Sequence, residues 1–387
     1  VTAWLGDTLN VKGFGAAGDG TTNDTAALKA AVTKAWQTGK TLYIPAGTYS
    51  VNDQIGGLVT GHVSIVMDQA AKIVAAAGFP AGKKLLFLTA PTDGTDYRVY
   101  IRGGMLNSQN VPNSAAGQAN DTLSIAGNGF RKVVIEDVDF YSGATPATAG
   151  SDSLLFVSEM SYLRVTGCTF NGAVDVSIYI SGDATQSYGR NAIIRDCHFT
   201  NCSSGIIAKR QWQYCNISDN FFEDTQFAIV TGEADVFRLP GKRLFVCNNH
   251  IVRAERGIDI AVSDYSVCYG NYIEDMGFGT GPTYATGIQI SGSSHCDVSN
   301  NVIAGVNSTA VVDANFRAYY VIARTINGTT YNSTYNKVDC GSIKGIGETY
   351  WEGDTSQFYN RCFINNVNGC AIWEPKLAGN HSIYVSY

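Results

Sequence analysis

ISDNFF (217–222), VCNNHI (246–251), CYGNYI (268–273) and VSNNVI (298–303) are copies of one short unit. Each copy has a hydrophobic residue, two variable residues, Asn, a variable residue and a second hydrophobic residue. VTGCTF (165–170) and IRDCHF (194–199) extend the series with Cys in the Asn place, and the copies recur every 22 to 30 residues or so. A second unit interleaves with the first: SIYIS (177–181), GIIAK (205–209), AIVTG (228–232), GIDIA (257–261) and GIQIS (287–291). Two strand-like units per repeat, with no helical heptad, predict stacked coils of parallel sheet rather than a closed globule.

The corner chemistry agrees. Asn220, Asn249, Asn271 and Asn301 fall in register, preceded by Asp219, Asn248, Gly270 and Asn300. Gly, Asn and Asp tolerate left-handed backbone angles, so each pair marks a sharp turn between two strands. Stacked Asn amides are expected to bond to one another along the axis, as identical side chains do in cross-β stacks. Cys168 and Cys197 fill the same place as small, partly buried groups.

Composition narrows the function classes. The formal charge is -6 and only 16% of residues are charged, so there is no basic stripe to neutralise phosphates and a nucleic-acid partner is not expected. No apolar run reaches the roughly 18 residues of a membrane span. No secretory leader is recognisable after Val1, although a processed N-terminus stays open. The 10 cysteines lie mostly inside strand or corner repeats and form no CxxC pair. They are expected to be reduced, as in a chain folded in a reducing cytoplasm, and no metal or cofactor is expected.

Residues 9–50 differ in texture. After LNVKGFGAAGDGTTND, the segment DTAALKAAVTKAWQTG places Ala27, Leu28, Ala31, Val32, Ala35 and Trp36 on one helical stripe, with Gly39 as its stop. GDGTTND reads as a turn and helix cap, and TLYIPAGTYSV (41–51) as two strands around a Pro-Ala-Gly turn. A helix laid over the open end of a coil stack would cover its unpaired edges. VKGFGAAGDGTTNDTAALKAAV followed by TLYIPAGTY resembles the N-terminal segment of the pectate-lyase-like right-handed parallel β-helix superfamily. The likeness is to the subgroup with bacteriophage tailspikes, capsule depolymerases and mannuronan epimerase modules.

The resemblance implies an all-β chain, a right-handed parallel β-helix (solenoid) with an N-terminal capping α-helix. The expected organisation is a cap over 1–60, coils over 61–313, and C-terminal coils with an aromatic-rich end over 314–387. It further implies a parallel homotrimer on a virion tail, folded in the host cytoplasm, with secretion as the alternative. The implied activity is that of a depolymerase cleaving a bacterial capsule or O-antigen. The superfamily hosts several chemistries on one scaffold, so activity must be argued from the site.

Alternation in the GIDIA-type strands turns Ile178, Ile180, Ile206, Ala208, Ile229, Thr231, Ile258, Ile260, Ile288 and Ile290 inward. Tyr179, Ile207, Lys209, Val230, Asp259 and Gln289 then point outward along one wall, with neighbours one coil apart about 4.8 Å away. The loops that follow carry Glu159, Asp183, Arg210, Trp212, Glu233, Asp235, Arg238, Asp264 and Tyr265. Glycoside hydrolysis needs two carboxyls, about 5–5.5 Å apart for retention or about 6.5–9.5 Å for inversion. Glu233, Asp235, Asp259 and Asp264 are the catalytic candidates, with Asp259 expected to be raised in pKa as a general acid. Lys209, Arg210, Trp212, Arg238, Tyr265 and Gln289 are the substrate-binding candidates, through ring stacking or by holding acidic groups. The alternatives are a polysaccharide lyase, with Arg210 or Lys209 on a uronate and Tyr265 near the C5 proton, and a glycan-binding spike without catalysis. No DPHE site of the epimerases, no Gly-His-Gly of the polygalacturonases and no aspartate trio of the calcium-dependent pectate lyases occurs.

Overall fold

The computed structural model describes residues 8–91, 93–112, 121–127, 129–143, 153–158, 160–182, 190–209, 212–231, 241–276, 285–304, 317–326, 329–340, 342–344, 348–352, 360–365, 367–368 and 382–386. Two compact units divide the chain: Val1–Ile180 with Asn201–Ser203, and Ser181–Thr200 with Ser204–Tyr387.

In the first unit, strands Thr8–Asn10, Thr41–Ile44, Val63–Met67, Tyr97–Arg102, Phe130–Glu136 and Tyr162–Thr166 lie side by side, every pair parallel. Parallel neighbours require a full crossover, and here each crossover is the rest of a coil. Buried and half-buried residues alternate along Val63–Met67, the pattern of a strand with one face in a core. Phe140 stacks on Phe170 one coil later, ring centroids 4.7 Å apart.

The helix α1 (Thr25–Thr38) forms where its sequence predicts. Leu28, Ala31, Val32, Ala35 and Trp36 are buried, Ala27 sits at the half-buried rim, and Gly39 ends the helix at a φ of 66°. Asp24 departs from the cap reading. It makes no side-chain cap bond to the helix; its buried carboxylate accepts the N–H groups of Ala17 (2.7 Å) and Gly18 (3.0 Å). Two backbone donors outcompete one orphan helix N–H, so Asp24 ties the preceding turn to the helix start. Asp19 is held well below the usual carboxylate range by the N–H groups of Thr22 and Thr21.

In the second unit the same rule stacks Gln213–Ser218, Phe245–Cys247, Val267–Tyr269, Asp297–Ser299, Lys337–Asp339, Arg361–Asn365 and Ser382–Ser386 in parallel. A second face carries Phe221–Thr231, His250–Ala261, Thr286–Ser291, Arg317–Ile322 and Glu348–Glu352. His250–Ala261 joins both sequence units into one strand, bent at Arg253 with a φ of 54°.

The Asn ladder is present in full. Asn220 Nδ2 donates to Asn249 Oδ1 (3.0 Å), Asn249 Nδ2 to Asn271 Oδ1 (2.9 Å), and Asn271 Nδ2 to Asn301 Oδ1 (2.9 Å). Each amide oxygen also accepts the backbone N–H of the Asn before it, and Cys197 joins through its N–H to Asn220 Oδ1. The residues before the ladder, Asp196, Asp219, Asn248, Gly270 and Asn300, all have positive φ. A second ladder runs along another corner: Asn360 Oδ1 accepts from Asn336 N–H, and Asn336 Oδ1 from Cys296 N–H, both at 2.9 Å. Cys168, Cys197, Cys202, Cys215, Cys247, Cys268, Cys296 and Cys340 are free thiols, and burial pushes Cys215 and Cys296 up to about 12.

Candidate functional site

The GIDIA-type strands behave as alternation demands on their inner side. Ile229, Thr231, Ile258, Ile260, Ile288 and Ile290 are all buried. On the outer side Val230 pairs with Asp259, Asp259 with Gln289, and Gln289 with Tyr320, one residue per coil. On an outward row Asp259 is expected to lose part of its solvent. Here Asp259 is only 3% exposed, and Gln289 is buried as well.

The cover comes from the turn one coil further on. Arg324–Ile326 and Thr329–Tyr331 pair antiparallel, a small hairpin inserted after the Arg317–Ile322 strand. It packs closely on the turn at Gly292, where an added Cβ would lie 2.9 Å from Tyr331 Cβ and 3.0 Å from Arg324 Cβ. From the hairpin Arg324 reaches back across two coils, its Nη1 3.5 Å from Asp259 Oδ2 and 3.4 Å from Ser291 Oγ. Gln289 Nε2 donates to Asp259 Oδ2 (3.2 Å) and Ser291 Oγ to Asp259 Oδ1 (2.8 Å). Arg317 lies over the Tyr320 ring, 4.8 Å from its centroid.

A carboxylate, an amide, a hydroxyl and a guanidinium thus meet on one short stretch of wall, with Tyr320 in register one coil beyond Gln289. The groups set against Asp259 donate hydrogen bonds to it, which is the setting of an accepting carboxylate. Burying a charge is tolerable only when it is paired and bonded, and Asp259 meets both conditions.

The remaining candidates divide. Asp264 lies past the turn at Val262, half-buried, its Oδ1 accepting the Ser294 N–H at 2.9 Å. Tyr265 is 54% exposed at the next corner, its ring stacked on His295 at 4.8 Å. Lys209 is half-buried at the end of His198–Lys209. Trp212 is not available to stack on a sugar, because it lies in the core at 1% exposure. At this corner the inward position rewards a large ring, since an aromatic side chain buries some 150–250 Å² or so. Glu159, Asp183, Arg210, Glu233, Asp235 and Arg238 lie outside the described residues.

Ser291, Tyr320 and Arg324 were missed by sequence reasoning, and each left some signal. Ser291 sits two residues past Gln289 in GIQIS. The segment ARTINGTTY (323–331) carries an Asn-Gly pair between Thr- and Ile-containing flanks, the mark of a two-residue hairpin loop.

Against known families, the rhamnogalacturonase A/epimerase, pectate lyase-like model matches residues 8–230. The chain belongs to this family. A right-handed β-helix region model also matches, over residues 153–326. Alginate lyase 7 of Azotobacter vinelandii is 29% identical over 190 residues, 48% of this chain and 20% of that protein. Mannuronan C5-epimerase AlgE2 of the same organism is 30% identical over 164 residues, 42% of this chain and 15% of that protein. The chain thus spans a fifth or less of these two relatives. Among solved structures, the Dettilon tailspike protein superposes with a TM-score of 0.60 at 17% identity, over 100% of this chain and 70% of the other. Tailspike protein 3 of bacteriophage CBA120 gives 0.61 at 13% identity, over 99% and 60%. At such identities the structural likeness establishes the fold, a right-handed parallel β-helix.

Proposed function

We propose that this chain is the polysaccharide-cleaving β-helix of a tailspike-type depolymerase, acting on a bacterial capsule or O-antigen by glycoside hydrolysis. The observation that carries the reading is Asp259, a buried carboxylate held by Gln289, Ser291 and Arg324 on the outer wall of the coils. A stack of this kind gains nothing in stability from a buried charge that an apolar pair would not supply. The accepting geometry suits the carboxylate that attacks the anomeric carbon or activates water. The second carboxyl, which protonates the leaving oxygen, would come from Glu233 or Asp235, which follow the Phe221–Thr231 strand in sequence. Tailspike fold likeness supports a homotrimeric assembly on a virion tail.

One arrangement favours a second reading. Tyr320 stands in register beyond Gln289, and Arg324 is close by. In a lyase the phenolate would take the C5 proton of a uronate while the guanidinium steadies its carboxylate, and the glycosidic bond would break by elimination. The kinship with an alginate lyase supports this alternative.

Asp259→Asn keeps the shape of the site and removes the charge. It is expected to lower the rate by about 10²–10⁴ while the melting temperature stays within a few degrees. Wild-type products are read in parallel: an absorbing unsaturated uronide marks elimination, and saturated reducing ends mark hydrolysis. A variant that cleaves as fast as wild type removes Asp259 from the site, and intact chain length with wild-type protein leaves a glycan-binding spike.

A further inference from the structure

One corner of the second unit breaks, on five successive coils, a rule that the Asn-ladder corner keeps. Tyr214, Arg243, Tyr265, His295 and Tyr335 all have a left-handed backbone, with φ between 56° and 59°. They stand one per coil: Gln213 pairs with Lys242 just before the first two, and the N–H groups of Arg243, Tyr265 and His295 bond to the carbonyls of Asp264, Ser294 and Thr334 on the next coil. Along the Asn-ladder corner, the same conformation is held only by Asp, Asn and Gly, the residues that adopt it at least cost. At the first coil of this corner Asn191 also keeps the rule. The five positions that follow use large side chains, which stability alone disfavours.

The side chains are exposed and ordered against one another. Tyr265 and Tyr335 are more than half exposed, and His295 lies between them, its ring 4.8 Å from one and 5.1 Å from the other at interplanar angles of 15° and 14°. Arg243 lies over the Tyr214 ring at 5.3 Å and donates to its hydroxyl. The stacked rings turn their edges outward. What the corner offers is a line of phenol, imidazole and guanidinium groups repeating once per coil, close to the length of one pyranose in an extended chain. The turn that carries Tyr265 follows directly on the strand of Asp259, and the turn that carries His295 follows directly on Ser291.

We infer that this ladder is a second glycan-binding site, a rail that hydrogen-bonds an extended polysaccharide along the coil axis and feeds it toward the Asp259 wall. The rail rests on the proposed polysaccharide activity and adds a site that cleavage itself does not require. The hydroxyl-rich chain is bound by ring edges, since the inner ring faces are covered by each other.

The test pairs binding with stability. His295→Asn and Tyr335→Asn place the residue that prefers this backbone, so they are expected to leave the melting temperature unchanged or to raise it. The probe is an array of bacterial surface polysaccharides that includes alginate, with the best-bound polymer carried into titration. The double variant is expected to bind that polymer about tenfold more weakly or worse. It should still turn over short oligosaccharides at the wild-type rate, and His295→Tyr should restore polymer binding. Asp259→Asn is expected to bind the polymer and not cut it. Wild-type affinity in the double variant, or a melting temperature several degrees lower, overturns the rail while leaving the activity in place. A wild-type protein that binds no member of the array overturns both.

Discussion

Replacing Asn249 by Leu tests the ladder at its centre. The side chain is 1% exposed and makes four hydrogen bonds. Nδ2 donates to Asn271 Oδ1 and to the Ile217 carbonyl, both at 2.9 Å; Oδ1 accepts from Asn220 N–H at 3.2 Å and Asn220 Nδ2 at 3.0 Å. Two of these losses are cushioned. Asn220 Nδ2 keeps the Ile194 carbonyl, and Asn271 Oδ1 keeps the Asn249 backbone N–H. The Asn220 N–H and the Ile217 carbonyl lose these bonds inside a corner that water does not reach. Each buried group left unsatisfied costs about 1–3 kcal/mol, so the variant should lose about 2–6 kcal/mol. For a cooperative unit the size of the second one, each kcal/mol moves the melting temperature by about 2–4 °C. Thermal melts followed by circular dichroism should therefore show a fall of about 4 °C or more. Asn249→Cys, the chain's own substitute at Cys197, should fall less, because a small thiol fits the corner and weakly accepts. A Leu variant melting within about 1 °C of wild type would refute the ladder as a source of stability.

Two further outcomes follow from other packing details. Gly257 opens the GIDIA unit, and a Cβ added there would lie 2.5 Å from the Gly287 carbonyl oxygen on the next coil. Gly257→Ala should cost about 1–3 kcal/mol in chemical denaturation, whereas Ala at Gly13, where the space is open, should cost much less. Asp53 is held below the ordinary carboxylate range first by its hydrogen bond from Lys29, 2.6 Å away on α1. A depressed folded pKa contributes stability that is present above the unfolded value of about 3.9 and lost as pH falls through the folded one. Asp53→Asn should therefore melt below wild type near about pH 7 and converge with it in acid. Both side chains are partly exposed, so the difference should shrink in high salt.

The periodic features of this chain were legible from residues alone. The ladder at Asn220, Asn249, Asn271 and Asn301, the inward isoleucines and the stripe and stop of α1 all follow from local rules repeated at a fixed period. Backbone sterics, strand alternation and helical spacing need no knowledge of the rest of the molecule, and each coil repeats the test. What the sequence could not determine was the cover over the outer wall. Alternation placed Asp259 and Gln289 on the outward wall, and a sequence cannot show that Arg324, 65 residues further on, folds back across two coils to pair with Asp259. The same limit hid the burial of Trp212, because a corner residue turns in or out according to the space its neighbours leave. Side-chain direction at turns and contact between coils are set by stacking, which is a property of the assembled solenoid and of no single repeat.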